Sequence, residues 1–276
     1  MRFKMTFQKK EGSIPAVLPI NYQYALSSFV YNTLHSGNSE LASWLHDKGF
    51  TREGRSFRLF SFSGLHIPNT KLQGDRLTIP GDAISLEISF LPVEISESFV
   101  FGLFNKRDVR LGDKKSSVDF QISTIERLPD PEFSTTMKFK AVTPVVISAG
   151  KDRGREGSAT YLDPAAKDYG ERVKINLLEK YEAWCSHTKN EKPALAGLQD
   201  YQFKAAETFK SRLITVKAGT TGESKIRGFQ YDFEITAPVE LIKTGYYAGF
   251  GEKNSMGFGY CHSVIHTLKV LKTFKT

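Results

Sequence analysis

The residues best suited to chemistry in this 276-residue chain cluster near its C-terminal end, in Gly249-Phe250-Gly251-Glu252-Lys253-Asn254-Ser255-Met256-Gly257-Phe258-Gly259. Four glycines frame a polar centre in the order G-F-G-x5-G-F-G. Glycine tolerates positive φ and close backbone approach, so such a loop can turn bare N–H groups toward an anion while Lys253 adds a charge. The segment is not a Walker loop, because no G-K-[S/T] closes it, and it is not a G-x-G-x-x-G opening a first βαβ unit. Gly249, Gly251, Lys253, Asn254, Ser255, Gly257 and Gly259 are therefore candidate anion-binding positions, with a plain tight turn as the competing reading.

Groups able to move protons are few. The six histidines are His35, His46, His66, His187, His262 and His266. His262 and His266 have a helical spacing in a segment that reads as strand, so no metal site is expected there. His46 closes a short helix in Trp44-Leu45-His46-Asp47-Lys48-Gly49, where the helix dipole favours an imidazolium. Tyr31 lies off the apolar face of the preceding helix. Arg52, Arg55 and Arg58 follow closely, as a phosphate-binding cluster or as a solvated edge.

The bulk numbers narrow the partner. Lys and Arg exceed Asp and Glu, 38 to 30, and the sequence pI is about 9.3. A basic balance of this size favours an anionic partner, nucleic acid before membrane. The two cysteines, Cys185 and Cys261, allow neither a disulfide framework nor a four-cysteine zinc site. No apolar run is long enough to span a membrane, and the charged opening Met1-Arg2-Phe3-Lys4 has no apolar signal-peptide core, so a cytoplasmic protein is expected.

These side chains need elements to hold them. Met1, Phe3, Met5 and Phe7 alternate with Arg2, Lys4, Thr6 and Gln8, the pattern of a half-buried strand. Met137-Lys138-Phe139-Lys140 echoes that opening halfway along, which suggests two structural repeats. In the first repeat Leu26, Phe29, Val30 and Leu34 mark a helix and Leu41, Trp44 and Leu45 a second, stopped by Gly49. Strands follow near 56–63, 75–80 and 84–91, then a helix through Ile95, Phe99 and Leu103, then a strand near 116–125. The second repeat reads as a strand over 137–148, a basic loop with Lys151, Arg153 and Arg155, and a helix through Val173, Leu177, Tyr181 and Trp184. Strands near 201–216 and 226–236, a short helix from Pro238 to Ile242, the glycine loop and a strand over Tyr260–Val270 complete it. The order is that of a ferredoxin-like fold. Two tandem ferredoxin-like (βαββαβ) domains are expected, 1–130 and 131–276, divided near Pro129-Asp130-Pro131.

The glycine loop, with its lysine and its place near the C-terminus, resembles that of the CRISPR-associated endoribonucleases that cut repeat RNA, in the RAMP superfamily. Leu18-Pro19-x-Asn21-Tyr22, Leu45-His46, Leu59-Phe60-Ser61-Phe62-Ser63, Thr143-Pro144-Val145-Val146-Ile147 and Tyr161-Leu162-Asp163-Pro164 resemble further motifs of that family, so the likeness spans nearly the whole chain. The resemblance implies that Tyr31 and His46 are catalytic. Family members place a lysine immediately before the Leu-Phe-Ser-Phe-Ser segment, where this chain has Arg58. Arg58, Lys48, Arg52 and Arg55 are thus alternatives for the cation.

The implied reaction is metal-independent cleavage of CRISPR repeat precursor RNA by attack of a 2′-hydroxyl on the adjacent phosphate, leaving a 2′,3′-cyclic phosphate and a 5′-hydroxyl. It needs a group to take the 2′ proton, a group to protonate the leaving oxygen, and a cation for the phosphorane charge. Histidine fits either proton role, and which of His46 and Tyr31 is the base stays open. No cofactor is called for. The implied partner is repeat RNA, with other CRISPR effector subunits beside it, and the chain acting as monomer or homodimer. Lys204, Lys210, Arg212, Lys217, Lys225 and Arg227 are candidates to line the RNA backbone, whereas Phe229 and Tyr231 read as core. The rival function is a catalytically silent repeat-RNA-binding subunit, against which the pairing of Tyr31 with His46 argues.

Overall fold

The structure is a computed structural model and describes residues 1–12, 16–149, 160–188, 195–218 and 220–264. Lys151, Arg153, Arg155, His266 and the end of the expected closing strand lie outside the described residues.

The alternation at the start of the chain forms β1 (Arg2–Lys9). It is followed by α1 (Gln23–Gly37), α2 (Ser39–Asp47), β2 (Phe60–Phe62), β3 (Ala83–Phe90), α3 (Val93–Asn105), β4 (Asp108–Gly112) and β5 (Ser117–Arg127). The antiparallel sheet runs β2-β3-β1-β5-β4. Without the edge strand β4, which hairpins onto β5, this is the ferredoxin-like order. Met5 pairs with Leu86 on one side and Ile125 on the other, so the apolar set of β1 faces α1 and α3. Phe29 and Phe99 of those helices meet edge to face, with ring centroids 6.2 Å apart.

The second half has the same plan. β6 (Thr136–Ala141), α4 (Tyr169–Thr188), β7 (Gln202–Ala205), β8 (Lys210–Val216), β9 (Ser224–Gln230), β10 (Asp232–Thr236), α5 (Val239–Ala248) and β11 (Cys261–Ser263) follow in order. Its sheet runs β7-β10-β6-β11, the ferredoxin-like order again, while β8 and β9 form a separate hairpin. The Met-x-Phe echo thus falls on equivalent central strands, β1 and β6. The chain has two ferredoxin-like halves.

Several expected strands break where pairing partners change. The alternation over 226–236 is real, with Phe229, Tyr231, Phe233 and Ile235 all buried. It nevertheless spans two strands, because β9 pairs with β8 and β10 pairs with β6 and β7. The stretch 201–216 divides likewise into β7 and β8. The expected strand at 56–63 is cut at Leu59, whose φ of 53° is a left-handed conformation that a strand cannot carry. Its first part pairs instead in a small hairpin, Phe50–Arg52 with Arg55–Phe57. The strand at 137–148 ends at Ala141, and Val145 and Ser148 continue only as isolated bridges. β4 had no strong apolar signal and was not expected.

The halves join through polar as well as apolar contacts. Arg2, on the polar set of β1, is only 2% exposed. Its guanidinium carbon lies 3.4 Å from the Tyr246 ring centroid and 4.4 Å from that of Tyr260. Nη2 donates to the Tyr246 carbonyl at 2.5 Å. Glu87 of β3 lies 2.5 Å from Nε2 of His262 and accepts from the Tyr260 hydroxyl at 3.0 Å. Burial alone would raise the Glu87 carboxyl pKa, but the hydrogen bonds and charge of His262 and Tyr260 hold it below the ordinary carboxylate value. On the other flank Arg52 pairs with Glu182 at 2.8 Å and Arg55 with Glu179 at 2.7 Å, both glutamates on α4.

Candidate active-site cleft

α1 starts without a side-chain cap, buries Leu26, Phe29, Val30 and Leu34, and turns Tyr31 off that face. α2 is started by Asn38, whose side chain accepts from the Leu41 N–H at 3.0 Å. It ends at Gly49, which folds back through a φ of 63° that suits glycine. This stop leaves His46 in the last turn, with its ring meeting Tyr31 edge to face at 5.2 Å between centroids. Among the described residues the His46 ring has one hydrogen-bond partner, Asp47, with Nδ1 and Oδ1 2.9 Å apart.

Arg58 locks the arrangement. Its Nη2 donates to the His46 carbonyl at 2.7 Å and its Nη1 to the Lys48 carbonyl at 3.0 Å, so the guanidinium caps the end of α2. It also reaches the Tyr31 hydroxyl. Of the four cations open at the sequence level, Arg52 and Arg55 are engaged with glutamates on α4. Lys48 contributes its backbone carbonyl to Arg58. Arg58 is the one set against both Tyr31 and His46.

The glycine loop supplies the opposite wall. Of its four framing glycines only Gly251 lines the cleft, and the other three fold the loop. Gly259 has a φ of 72°, and a Cβ there would lie 1.9 Å from the Phe250 carbonyl oxygen. A Cβ on Gly257 would lie 2.6 Å from the Phe62 ring. The Phe250 N–H donates to the Gly259 carbonyl at 2.9 Å. Asn254 is buried inside the loop and its Nδ2 donates to the carbonyls of Phe250 and Phe258 at 3.2 and 3.0 Å, a brace more than a free hydrogen-bonding group. The Thr143–Ile147 segment pins the outside: Glu252 N–H donates to the Val146 carbonyl at 2.8 Å and Gly259 N–H to that of Pro144 at 2.9 Å.

A residue that the sequence reading missed holds the loop from beneath. Lys180 of α4 is 2% exposed, and its Nζ donates to the carbonyls of Gly249 and Gly251, both at 2.6 Å. Burial brings its pKa down to about 7, partly opposed by the charge of Glu252. The signal was present in the sequence, a lysine on the apolar stripe of a helix between Leu177 and Trp184.

Both walls line one cleft of about 870 Å³. It brings together Tyr31, His46 and Arg58 from the first half with Gly251, Lys253, Asn254 and Ser255 from the second. Gly249, Gly257 and Gly259 lie behind its surface. Ser255 reaches the Tyr31 hydroxyl. Burial raises the Tyr31 pKa above its ordinary 10, and the charge of Arg58 and hydrogen bonds with Ser255 and Arg58 only partly oppose this. Lys253 is exposed at the rim. Lys210, Arg212, Lys217, Lys225 and Arg227 are exposed on or beside the β8–β9 hairpin, and of these Lys217 reaches the cleft.

Comparison with known proteins agrees with this architecture. Residues 17–126 match the family model for the N-terminal part of CRISPR-associated protein Cas6, and residues 128–263 match that for its C-terminal part. The chain is 32% identical over 262 residues to "CRISPR-associated endoribonuclease Cas6 1" of Methanocaldococcus jannaschii, covering 94% of this chain and 92% of that one. It is 26% identical over 263 residues to the CRISPR-associated endoribonuclease Cas6 of Pyrococcus furiosus, covering 94% and 88%. A solved structure of a Cas6-related protein from Pyrococcus furiosus superposes with a TM-score of 0.77 at 24% identity, over 96% of this chain and 98% of that one, which establishes shared fold. With residues 17–126 and 128–263 matched by the two halves of one family, and with a relative of nearly the same extent, the chain belongs to the Cas6 family of CRISPR-associated proteins.

Proposed function

We propose that this protein is an endoribonuclease that cuts CRISPR repeat precursor RNA by attack of a 2′-hydroxyl on the neighbouring phosphate. The observation that carries the reading is the single cleft in which Tyr31, His46 and Arg58 face Lys253 and Ser255. The names of the relatives support the reaction class.

His46 takes the 2′ proton. With Nδ1–H donating to Asp47, Nε2 carries the lone pair of a neutral imidazole and can act as base. The 2′ oxygen forms a bond to phosphorus while the bond from phosphorus to the 5′ oxygen breaks. Tyr31 is the donor to that leaving oxygen: a phenol holds its proton at neutral pH, and burial shifts its pKa further upward. The products are a 2′,3′-cyclic phosphate and a 5′-hydroxyl. Arg58 stabilises charge on the phosphorane oxygens and on the transient phenolate, and Lys253 holds a phosphate at the rim. Each task is assigned to a side chain, so cleavage is metal-independent.

The test is to incubate the protein with its host's repeat RNA in excess EDTA. Cleavage is expected to persist, and a single 2′-deoxy substitution at the scissile nucleotide is expected to abolish it while leaving binding intact. Cleavage of the deoxy substrate, or loss of cleavage on chelation, sinks the mechanism. Binding without any cleavage instead identifies a silent RNA-binding member.

A further inference from the structure

The cleft extends beyond the catalytic side chains. Tyr24, Ser28 and Tyr31 lie at helical spacing on α1, and all three line it. Tyr24 is seven residues ahead of Tyr31 on that helix, about 10 Å along the axis. Their surroundings differ. Tyr31 is packed against Phe60 at 5.7 Å between ring centroids, whereas Tyr24 is 46% exposed.

Opposite Tyr24 stands Lys217, in the turn between β8 and β9, with Nζ 5.8 Å from the Tyr24 ring centroid. The ring belongs to the first half of the chain and the ammonium to the second, so the pair bridges the cleft. Lys217 holds a φ of 52°, a left-handed conformation uncommon outside glycine. Among the described residues five non-glycines have positive φ, and three of them, Leu59, Lys217 and Lys253, line this one cleft. Backbone conformations of this kind persist where the surrounding structure enforces them, and they gather at functional sites.

An exposed aromatic ring beside a cation is the combination that holds single-stranded nucleic acid, the base stacking on the ring and the cation meeting its phosphate. We propose that Tyr24 and Lys217 form a stacking subsite for one unpaired nucleobase flanking the scissile phosphate. The proposal rests on the reading of the cleft as an RNA site. In the free protein the Lys217 ammonium lies near the face of the Tyr24 ring, a cation–π contact. A nucleobase takes over that face and the ammonium turns to the nucleotide's phosphate. Stacking uses the π-face that every base has, so the subsite selects for an unpaired nucleotide at this position and not for its identity.

Repeat RNAs carrying 2-aminopurine singly at each position around the cleavage site test this. Binding to the wild type and to Tyr24→Phe is expected to quench the fluorescence at one flanking position, and binding to Tyr24→Ala is not. Affinity for Tyr24→Ala should fall roughly 5- to 150-fold, the range for losing one base–aromatic stack. Lys217→Ala should lower the slope of log K against log[salt] by somewhat under one unit. An abasic residue at the quenched position should weaken wild-type binding as Tyr24→Ala does and add nothing further in that variant. The abasic RNA leaves the protein untouched, so it decides the question even where a variant folds poorly. Unchanged affinity and quenching in Tyr24→Ala, or no penalty for an abasic residue at any flanking position, overturns the subsite while wild-type cleavage keeps the RNA reading. A wild type that neither binds nor cleaves repeat RNA overturns both.

Discussion

Replacing Lys180 by methionine isolates what one buried amine does for the glycine loop. Methionine keeps an unbranched, flexible stem, so the cavity stays filled and only the donor and its charge are lost. The Gly249 and Gly251 carbonyls then lose the donor that lies 2.6 Å from each. A buried carbonyl left without a partner costs about 1–3 kcal/mol, so the pair costs about 2–6 kcal/mol. Relief from burying the amine returns part of this, and a net loss of about 1–3 kcal/mol at neutral pH is expected. The pH dependence is the sharper signature. Lys180 has a folded-state pKa of about 7 against an ordinary 10.5, so between these values the unfolded chain holds a proton that the folded chain has released. The proton-linked part of the stability from this group is therefore fully present above 10.5, declines as pH falls, and is gone below about 7, while the hydrogen bonds to the two carbonyls remain. Urea unfolding followed by circular dichroism between pH 6 and 9 should show the wild type gaining stability with pH relative to Lys180→Met. The difference in slope is at most about 1.4 kcal/mol per pH unit. Parallel pH profiles for the two proteins would refute the claim that a desolvated amine tethers the loop.

Three further outcomes follow from the same geometry. His46→Ala should slow single-turnover cleavage roughly 10²–10⁴-fold, as for a lost general base, with repeat-RNA affinity nearly unchanged; a near-normal rate would move the catalytic centre elsewhere. Lys253→Ala should weaken RNA binding and reduce its salt slope by somewhat under one unit, and an unaltered slope would remove Lys253 from the phosphate path. Gly259→Ala sets a Cβ 1.9 Å from the Phe250 carbonyl oxygen, whereas Gly54→Ala meets nothing within 4 Å although both glycines have positive φ. Thermal unfolding should show a loss of roughly 2–5 kcal/mol for the former and about 1 kcal/mol for the latter, and equal losses would show that φ alone, not the closed loop, sets the cost.

How much of this was legible in the sequence depended on how local the cause was. The apolar faces of α1 and α3 were plain, because a 3.6-residue period is written within a few turns. The breaks at Leu59 and Tyr231 were not: at Leu59 a left-handed φ ends the strand, and at Tyr231 the pairing partner changes while the alternation of buried residues runs on unbroken. Arg2 read as solvent-facing, yet it is buried between Tyr246 and Tyr260, more than two hundred residues away in the chain. The glycine loop was found from its spacing, but its inward-facing glycines and the inward-turned Asn254 answer to Phe62, Val146 and Phe250, which only the fold brings near. Tyr31, off the apolar face of its helix, and His46, at a helix end, were visible locally, but a catalytic role for them came through the family resemblance. Tyr24 had no motif at all, and its importance comes from what faces it.

The pKa of Tyr31 shows why the two halves have to be considered together. Tyr31 and Arg58 belong to the first half, and they alone would give a tyrosine beside a cation, a setting that favours the phenolate. Burial is the larger influence and raises the pKa. The second half acts on the hydroxyl through Ser255, whose hydrogen bond draws the pKa back down as Arg58 does, from a loop that is braced by Asn254, tethered by Lys180 and pinned by Val146. The loop is in turn positioned by the docking of α4, through Arg52 with Glu182, Arg55 with Glu179 and the stacking of Trp44 on His187 at 4.6 Å. A phenol holds its proton at neutral pH in any case, and what the packing of one half against the other supplies is the placement of the Tyr31 hydroxyl between Arg58 and Ser255. The division of labour between the halves is therefore not one of cutting and holding: the half that carries the loop also supplies a hydrogen bond to the tyrosine that the proposed mechanism uses as its acid.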